Sequence, residues 1–119
     1  MLNCSKEKNM THCIFCKIAE GTLNTPFLFE DDRVVAFKDI HPQAPVHVLI
    51  IPKEHFQSIK EVTDEGLIGH LFTVAKQVAE KLHSTDYRLI INTGREAGQS
   101  VFHLHLHLLA GRFMAWPPG

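Results

Sequence analysis

The chain has 119 residues, of which 45% are hydrophobic and 21% are charged, a composition typical of one globular domain and not of a disordered chain. Its 12 basic and 13 acidic residues give a formal net charge of −1. Binding to nucleic acid or to a membrane surface usually requires an excess of Lys and Arg, so the composition predicts partners of neither kind.

Two features of the sequence bear on where the protein works. Residues 1–11 are polar and lack the apolar core of a secretory signal, so we predict a disordered tail followed by a single domain over residues 12–119. The three cysteines are an odd number, which does not suggest a disulfide framework and favours a reducing compartment. We therefore expect a cytoplasmic protein.

The predicted elements of the first half are short. Residues 12–20 form a short amphipathic helix, and residues 27–30 and 34–37 form two strands joined by a tight turn. A loop with two prolines covers residues 39–45. Residues 46–51 are apolar and rich in β-branched side chains, which predicts a buried strand.

The second half contains one long predicted helix. Apolar residues recur at three- and four-residue spacing over residues 64–82, and Thr63 is the predicted N-cap. Strands are predicted over 87–92 and 101–110, with a glycine-containing loop over 93–100 between them. Because crossover helices are missing between most strands, we predict an α+β fold with an antiparallel sheet of about five strands and helices on one side.

Three histidines alternate with leucines in the last predicted strand. In a strand, this period of two puts His103, His105 and His107 on one face and the leucines on the other. Three interpretations stay open at this point: a solvated polar face, a metal site, or nucleophilic and acid–base catalysis by neutral imidazole. A chance register of three histidines is rare, so the first is the weakest.

The loop before this strand favours a site for phosphate. Gly94, Gly98, Gln99 and Ser100 can present backbone N–H groups and a hydroxyl to anionic oxygens. Taken on their own, the glycines would be better explained by a plain hairpin connection. The histidines that follow at once make the phosphate interpretation the stronger one.

The histidine run and the loop before it resemble the histidine triad (HIT) family. Residues 103–109 match its His-φ-His-φ-His-φ-φ signature at every position, where φ is an apolar residue. The ending of the chain, residues 111–119, resembles the Hint branch, which ends in Trp-Pro-Pro-Gly. Further matches are Phe37-Lys38-Asp39-Ile40, Ala44-Pro45-Val46-His47, Ile50-Ile51-Pro52-Lys53 and Gly98-Gln99-Ser100-Val101.

The resemblance implies a homodimer with one continuous sheet and a purine nucleotide pocket in each subunit. It implies hydrolysis of purine nucleoside 5′-phosphoramidates and acyl-nucleotides, with no cofactor required for catalysis. His105 would attack the α-phosphorus and form a nucleotidyl-histidine intermediate that water cleaves. His107 and Ser100 would hold phosphate oxygens, and Ser100 could pass a proton to the leaving amine, while His103 completes the catalytic set.

The resemblance also assigns the nucleotide pocket. Asp39 would accept hydrogen bonds from the ribose hydroxyls, and Asn92 with the backbone of Gly98 and Gln99 would line the phosphate site. The tail with Trp116 would reach the partner's pocket and tune substrate choice, although Ala115 stands where the branch often has His. The apolar residues expected to wall the base are Phe15, Ile18, Phe37, Ile40 and Leu49.

Cys13 and Cys16 have the spacing of half a zinc site. By resemblance to some HIT proteins, His47 and His103 would complete a structural Cys₂His₂ site. A redox pair and two ordinary buried cysteines are the alternatives. The histidines expected at the surface, or as satisfied polar groups, are His12, His41, His55, His70 and His83.

Three functions therefore stand as hypotheses. The first is a nucleoside phosphoramidase that uses His105 as a covalent catalyst. The second is a zinc-dependent hydrolase whose metal sits on the histidine face. The third is a non-catalytic dimer that binds purine nucleotides as an interaction protein.

Overall fold

The computed structural model describes residues 13–119, so the predicted tail over 1–11 and His12 lie outside the described residues. A short helix comes first, three strands follow, and a long helix precedes the last two strands. The elements are α1 (Ile14–Ala19), β1 (Phe29–Glu30), β2 (Val34–Lys38), β3 (Val46–Pro52), α2 (Glu65–Lys81), β4 (Tyr87–Ile90) and β5 (Leu106–Ala110), with a 3₁₀ turn at Ile59–Glu61.

The five strands form one antiparallel sheet in the order β1-β2-β3-β5-β4. This confirms the predicted α+β fold with one long helix and one short N-terminal helix, but the two helices cover opposite faces of the sheet, so the expectation that they pack on one side is wrong. The two central strands, β3 and β5, are almost entirely buried. The sheet therefore has two covered faces, and the residues that alternate along each strand divide between them.

The long helix covers one face of the sheet. Its N-cap is Asp64, whose Oδ1 accepts a hydrogen bond from the N–H of Leu67 at 3.2 Å, so the predicted cap at Thr63 is wrong by one residue. No helix within residues 13–119 is long and apolar enough to cross a membrane. The buried stripe of α2 consists of Leu67, Leu71, Val74, Ala75, Val78 and Ala79.

The core under α2 supplies a direct stability test. Leu71 is 0% exposed and packs in the main hydrophobic cluster. Leu71→Ala removes buried methyl groups and leaves a cavity, so we expect the free energy of unfolding to fall by about 2–5 kcal/mol. Denaturant unfolding measures it, with the exposed Lys76→Ala as the control on the same helix. A loss below that of the control would contradict the assigned packing.

The other face of the sheet, which we call the α1 face, packs against α1. A second hydrophobic cluster forms there between α1 residues and side chains of β2 and β3. Register places Phe37 opposite Leu49, and Leu49 opposite His107. Because paired residues share a face, His107 lies on the α1 face beside this cluster.

The last strand is shorter than predicted. It begins at Leu106, and residues 101–105 are irregular, whereas the alternation predicted a strand from 101 onward. Continuing the register of β3 with β5 would pair Leu104 with Pro52, which has no backbone N–H for the ladder. Leu104 instead donates its N–H to the carbonyl of Phe56 at 2.7 Å. The predicted strand over 87–92 likewise ends early, at Ile90.

Candidate active site and metal site

The three histidines of the His-Leu-His-Leu-His run lie together beside α1. His103 is 0% exposed and His105 is 7% exposed, while His107 is partly buried. The ring of Phe15 packs edge-on against the rings of His105 and His103, with centres 5.0 and 6.0 Å apart. The rings of His105 and His107 have centres 4.9 Å apart. The rings therefore stay adjacent although only His107 belongs to a strand.

Hydrogen bonding determines the tautomer of His105. Its Nδ1 lies 2.7 Å from the carbonyl oxygen of His103. A carbonyl only accepts, so Nδ1 carries the hydrogen and Nε2 carries the lone pair. Within residues 13–119 this Nε2 has no hydrogen-bond partner. The fully buried nitrogens that lack a partner are those of His55 and His107, so Nε2 of His105 is not fully buried and reaches solvent. Burial lowers the pKa of His105, which favours the neutral ring.

A second chain of hydrogen bonds determines the tautomer of His107. The N–H of Gln43 donates to Nδ1 of His47 at 2.9 Å, so the hydrogen of the neutral His47 ring sits on Nε2. That Nε2 lies 2.9 Å from Nδ1 of His107, which must then accept. The remaining hydrogen of His107 is on Nε2, a buried atom without a partner in the described part of the chain. This N–H is available to an anionic oxygen.

Asp39, the residue that follows β2, lies next to His47. Its Oδ2 lies 3.3 Å from Nε2 of His47, and its Oδ1 accepts the N–H of His41 at 2.8 Å. The side chain of Ile40 is 85% exposed and does not join the buried cluster. The other apolar residues predicted to wall the base all belong to the cluster on the α1 face: Phe15, Ile18, Phe37 and Leu49.

The loop before β5 was predicted to present backbone N–H groups to phosphate, but two of these groups are already hydrogen-bonded within the loop. The N–H groups of Gly98 and Gln99 already donate to carbonyls of Arg95 and Gly94, both at 3.0 Å, so they are not open to a ligand as the phosphate interpretation required. The buried side chain of Gln99 holds the loop closed: Oε1 accepts from Gly94 at 2.9 Å, and Nε2 donates to the carbonyl of Gln57 at 2.6 Å.

Asn92 and Ser100 flank that loop. A Cβ added at Gly98, whose φ is +98°, would lie 3.6 Å from Nδ2 of Asn92. Asn92 therefore packs against this glycine, and it lines the same cavity as His107. Ser100 is exposed at the end of the loop. Their roles toward phosphate stay predictions.

The buried His107 makes stability depend on pH. Burial, with His105 and His47, lowers the pKa of His107 from its ordinary 6.5 to about 4, against the charge of Asp39. Between these values the unfolded chain binds a proton that the folded chain does not, so stability falls as the pH falls from 6.5 to 4. We expect Tm to fall over this interval, and to fall less in His107→Asn. Calorimetry checks this, and an equal slope in both proteins would contradict it.

Two cysteines and two histidines form a compact cluster at the other end of the site, which we call the Cys/His cluster: Cys13, Cys16, His55 and His103. Their ligand atoms all lie within 4.8 Å of one another. Nδ1 of His103 lies 3.4 and 3.5 Å from the two sulfurs, and 3.2 Å from Nδ1 of His55. Tetrahedral zinc would separate S from N by roughly 3.5 Å and N from N by roughly 3.3 Å. The spacing of the donors therefore fits this metal.

The orientation of His103 also fits a ligand. Its Nε2 lies 2.9 Å from the carbonyl of Pro52, so Nε2 carries the hydrogen and the lone pair of Nδ1 faces the sulfurs. Cys13 is a free thiol, and burial raises its pKa. Cys16 is disulfide-bonded in this structure, so metal binding requires its reduction.

The structure corrects one member of the predicted zinc set. His47 pairs with Leu109 at the start of β3, whereas residue 103 lies six positions earlier, roughly 20 Å away along the strand direction. His55 follows the other end of β3 and lies beside the two cysteines in its place; its ring is partly buried and its Nδ1 contacts Cys16 and His103, which fits the second of its expected roles, a satisfied polar group. The antiparallel order of the two strands, applied to the sequence, would have indicated His55.

Trp116 lies outside the core, 81% exposed, and lines a cavity of about 700 Å³ together with His107 and His47. The cavity belongs to the same chain as the tail. Contact of Trp116 with a partner's pocket stays a prediction.

Comparisons with known proteins identify similar sequences and similar folds. Residues 12–116 match the family described as "Scavenger mRNA decapping enzyme C-term binding". An uncharacterised HIT-like protein of Synechocystis is 51% identical over 109 residues, which is 89% of this chain and 96% of the relative. A HIT family hydrolase from Legionella pneumophila has 47% identity and a TM-score of 0.85, covering 91% of this chain and 100% of its own. A HIT family hydrolase from Clostridium thermocellum has 49% identity and a TM-score of 0.83, and the match covers 87% of this chain and 94% of that one.

Proposed function

Because the chain belongs to the histidine triad (HIT) family, we propose that it is a Hint-type hydrolase of purine nucleoside 5′-phosphoramidates and acyl-nucleotides. One observation carries the proposal. Nε2 of His105 holds a lone pair, reaches solvent and belongs to a neutral ring, which are the properties of a nitrogen nucleophile. The similar solved structures from Legionella and Clostridium are named HIT family hydrolases, which supports the hydrolase class of the proposed function.

The proposed reaction has two displacements at one phosphorus. Nε2 of His105 attacks the α-phosphorus, and the bond to the leaving amine breaks as the bond to His105 forms. The amine departs with a proton that the hydroxyl of Ser100 passes to it. Water then attacks the same phosphorus and gives one proton to Ser100, which restores its hydroxyl, while the bond to His105 breaks and nucleoside monophosphate leaves the neutral ring as it began.

His107 is placed to stabilise charge on the phosphoryl oxygens. Its partnerless Nε2–H can donate to an oxygen that gains charge in the transition state. Gln43 and His47 act through it as positioning groups, because their hydrogen bonds oblige the hydrogen of His107 to sit on Nε2. Removing one such donor from an enzyme typically costs on the order of 10²-fold in kcat.

The nucleoside would bind on the β2 side of His107. Phe37 and Leu49 stand in one row with His107 across the sheet; they are only 2% and 4% exposed, so the base would lie at the edge of the apolar cluster to which they belong. Asp39, at the end of the same strand as Phe37, has oxygens suited to accept from two ribose hydroxyls. The exposed Ile40 would be covered by the base.

We propose further that the protein is a homodimer joined at β4. In the described sheet β4 is an edge strand, paired with β5 on one side. Its outer backbone groups need partners, which a second β4 would supply by continuing the sheet. Tyr87 on this strand is 38% exposed and would be covered in that arrangement.

The Cys/His cluster would hold a structural zinc ion. A bound zinc ion ties α1 and the segment after β3 to residue 103 and supplies no chemistry to the reaction. The carbonyl of that same residue orients His105, so the cluster supports the nucleophile through one residue. The predicted cytoplasmic location would keep both cysteines reduced.

A zinc-dependent hydrolase with its metal at Asp39, His47 and His107 fits the structure less well, although these three also lie close together. The N–H of Gln43 occupies Nδ1 of His47, so the hydrogen of that ring must be on Nε2, the atom facing the site. A nitrogen that carries a hydrogen cannot ligate a metal. Exhaustive chelation is therefore expected to leave the attack by His105 competent.

Rapid-quench mass spectrometry tests the proposed function. Reduced protein is mixed with adenosine 5′-phosphoramidate, quenched during turnover and measured intact. We expect a species heavier by one adenylyl group that disappears as substrate is exhausted. Tight adenosine monophosphate binding without turnover of the phosphoramidate would reject the hydrolase and favour a nucleotide-binding protein.

A further inference from the structure

Gln99 is a buried polar side chain in the loop before β5. It is 3% exposed, and its amide makes three hydrogen bonds. Oε1 accepts the N–H of Gly94 at 2.9 Å, and Nε2 donates to the carbonyls of Gln57 at 2.6 Å and Val101 at 3.1 Å. An amide nitrogen has two hydrogens, so it can make both donations at once. The bond to Val101 spans the residue between them, Ser100.

The position of Ser100 depends on its two neighbours. Ser100 is exposed, so packing of its own side chain does not fix it. On one side, Gln99 is anchored by its buried amide and by its N–H, which donates to the carbonyl of Gly94 at 3.0 Å. On the other side, Val101 packs against the cluster on the α1 face, and its carbonyl is held by Gln99. Loss of the Gln99 amide would therefore release the backbone on both sides of the Ser100 hydroxyl.

The segment that anchors Gln99 also holds the residue that orients the nucleophile. This segment, residues 55–57, follows β3. Its carbonyls at positions 57 and 56 accept from Nε2 of Gln99 and from the N–H of Leu104, at 2.6 and 2.7 Å. Its ring at position 55 places Nδ1 3.2 Å from Nδ1 of His103, whose carbonyl lies 2.7 Å from Nδ1 of His105. The loop and the nucleophile are thus fixed to the same segment.

We propose that Gln99 is a positioning residue for the transfer of a proton from Ser100 to the leaving amine. In that step the P–N bond breaks as Nε2 of His105 bonds to phosphorus, and the amine nitrogen takes the hydroxyl proton of Ser100. The donor must lie within about 3 Å of the nitrogen, so a displaced hydroxyl slows the step. This inference rests on the proposed hydrolase function and adds the group that places its proton donor.

The test uses two leaving groups that differ in their need for a proton. An amine must be protonated to leave, whereas the carboxylate of acetyl adenylate leaves as an anion. Both adenosine 5′-phosphoramidate and acetyl adenylate would give the same adenylyl adduct, so rapid-quench mass spectrometry measures its rate of formation from each at saturation. The measured quantity is the ratio of the two rates, phosphoramidate over acetyl adenylate.

Gln99→Met keeps a side chain of similar length and removes all three hydrogen bonds of the amide. We expect it to lower the ratio by about tenfold or more, because a small misplacement of a reacting group is costly. Gln99→Asn is one methylene shorter and should lie between parent and Gln99→Met. The matched control is Gln77→Met, at an exposed position of α2, which should keep the parent ratio.

A double variant separates positioning from a structural role. Ser100→Ala should lower the ratio at least as far as Gln99→Met does, because it removes the proton donor itself. Adding Gln99→Met to Ser100→Ala should lower the ratio no further, since Gln99 acts through that hydroxyl. A merely structural role would slow both substrates alike in Gln99→Met and would leave the ratio unchanged.

An unchanged ratio in Gln99→Met or in Ser100→Ala overturns the inference, and so does a further fall of the ratio in the double variant. If Gln99→Met does not fold, Gln99→Asn decides by the same ratio. When the parent forms the adduct from both substrates, a negative result rejects the role of Gln99 alone. If the parent forms it from neither, the proposed function fails and the inference fails with it.

Discussion

His105→Asn is expected to lose the adenylyl adduct entirely and to lower kcat by on the order of 10³-fold or more. The reason is the lone pair on Nε2, which this substitution removes while it keeps a polar side chain near the carbonyl of His103. Adduct mass and steady-state kinetics on adenosine 5′-phosphoramidate measure the two effects. The change should be in kcat more than in KM, because the nucleophile forms its bond only during the reaction.

His83→Asn is the matched control for this substitution. His83 is exposed and lies outside the site, with a φ of +58° that asparagine tolerates better than most residues. It should keep parent kinetics and the adduct. An adduct that persists in His105→Asn would contradict the assignment of the nucleophile.

Removal of the two sulfur ligands has the second large expected effect. Reduced parent protein should bind one zinc ion per chain, and the double variant Cys13→Ser with Cys16→Ser should bind none. A structural zinc site contributes its binding free energy to folding, so we expect Tm to fall by about 10 °C or more. Elemental analysis and calorimetry under reducing conditions measure the metal content and Tm. Binding should also release protons at neutral pH, since burial raises the pKa of Cys13.

Two histidine variants separate the cluster seen in the structure from the one that the sequence predicted. His55→Asn should lower the zinc content and Tm, because its Nδ1 lies 3.3 Å from the sulfur of Cys16. His47→Asn should keep the zinc, because its ring is bonded to His107 and Gln43. The reverse result, or full zinc binding by the double cysteine variant, would contradict the proposed site.

The elements of the fold followed from periodicity, but their ends did not. The apolar stripe predicted α2 to within a residue at each end, since Leu71 and its neighbours must face one side to be buried. The strand predicted from residue 101 begins only at Leu106, because Pro52 on the neighbouring strand offers no N–H where Leu104 would pair. Alternation within one segment holds no information about the partner strand.

The candidate site, like the fold, could be predicted only in part from the sequence. The three histidines and the cysteine pair could be selected from the sequence, since their residue types and spacing carry chemistry, and Asp39 was selected by the resemblance to the HIT family. The tautomers of His105 and His107 could not, because they depend on a carbonyl and on a neighbouring ring that folding brings near. The N–H groups of Gly98 and Gln99, which the sequence offered to phosphate, are used inside their own loop.

The sequence by itself determined which chemical groups the protein has and the faces on which alternating residues lie, because side-chain chemistry and backbone period are local properties. Only the tertiary structure decided which groups meet. The antiparallel register of β3 and β5 brings His55 to the cysteines and His47 to His107. Contacts between β4 and the tail bring Arg88 to Trp116. Distances between segments far apart in the chain are set by strand pairing and packing, and no local pattern encodes them.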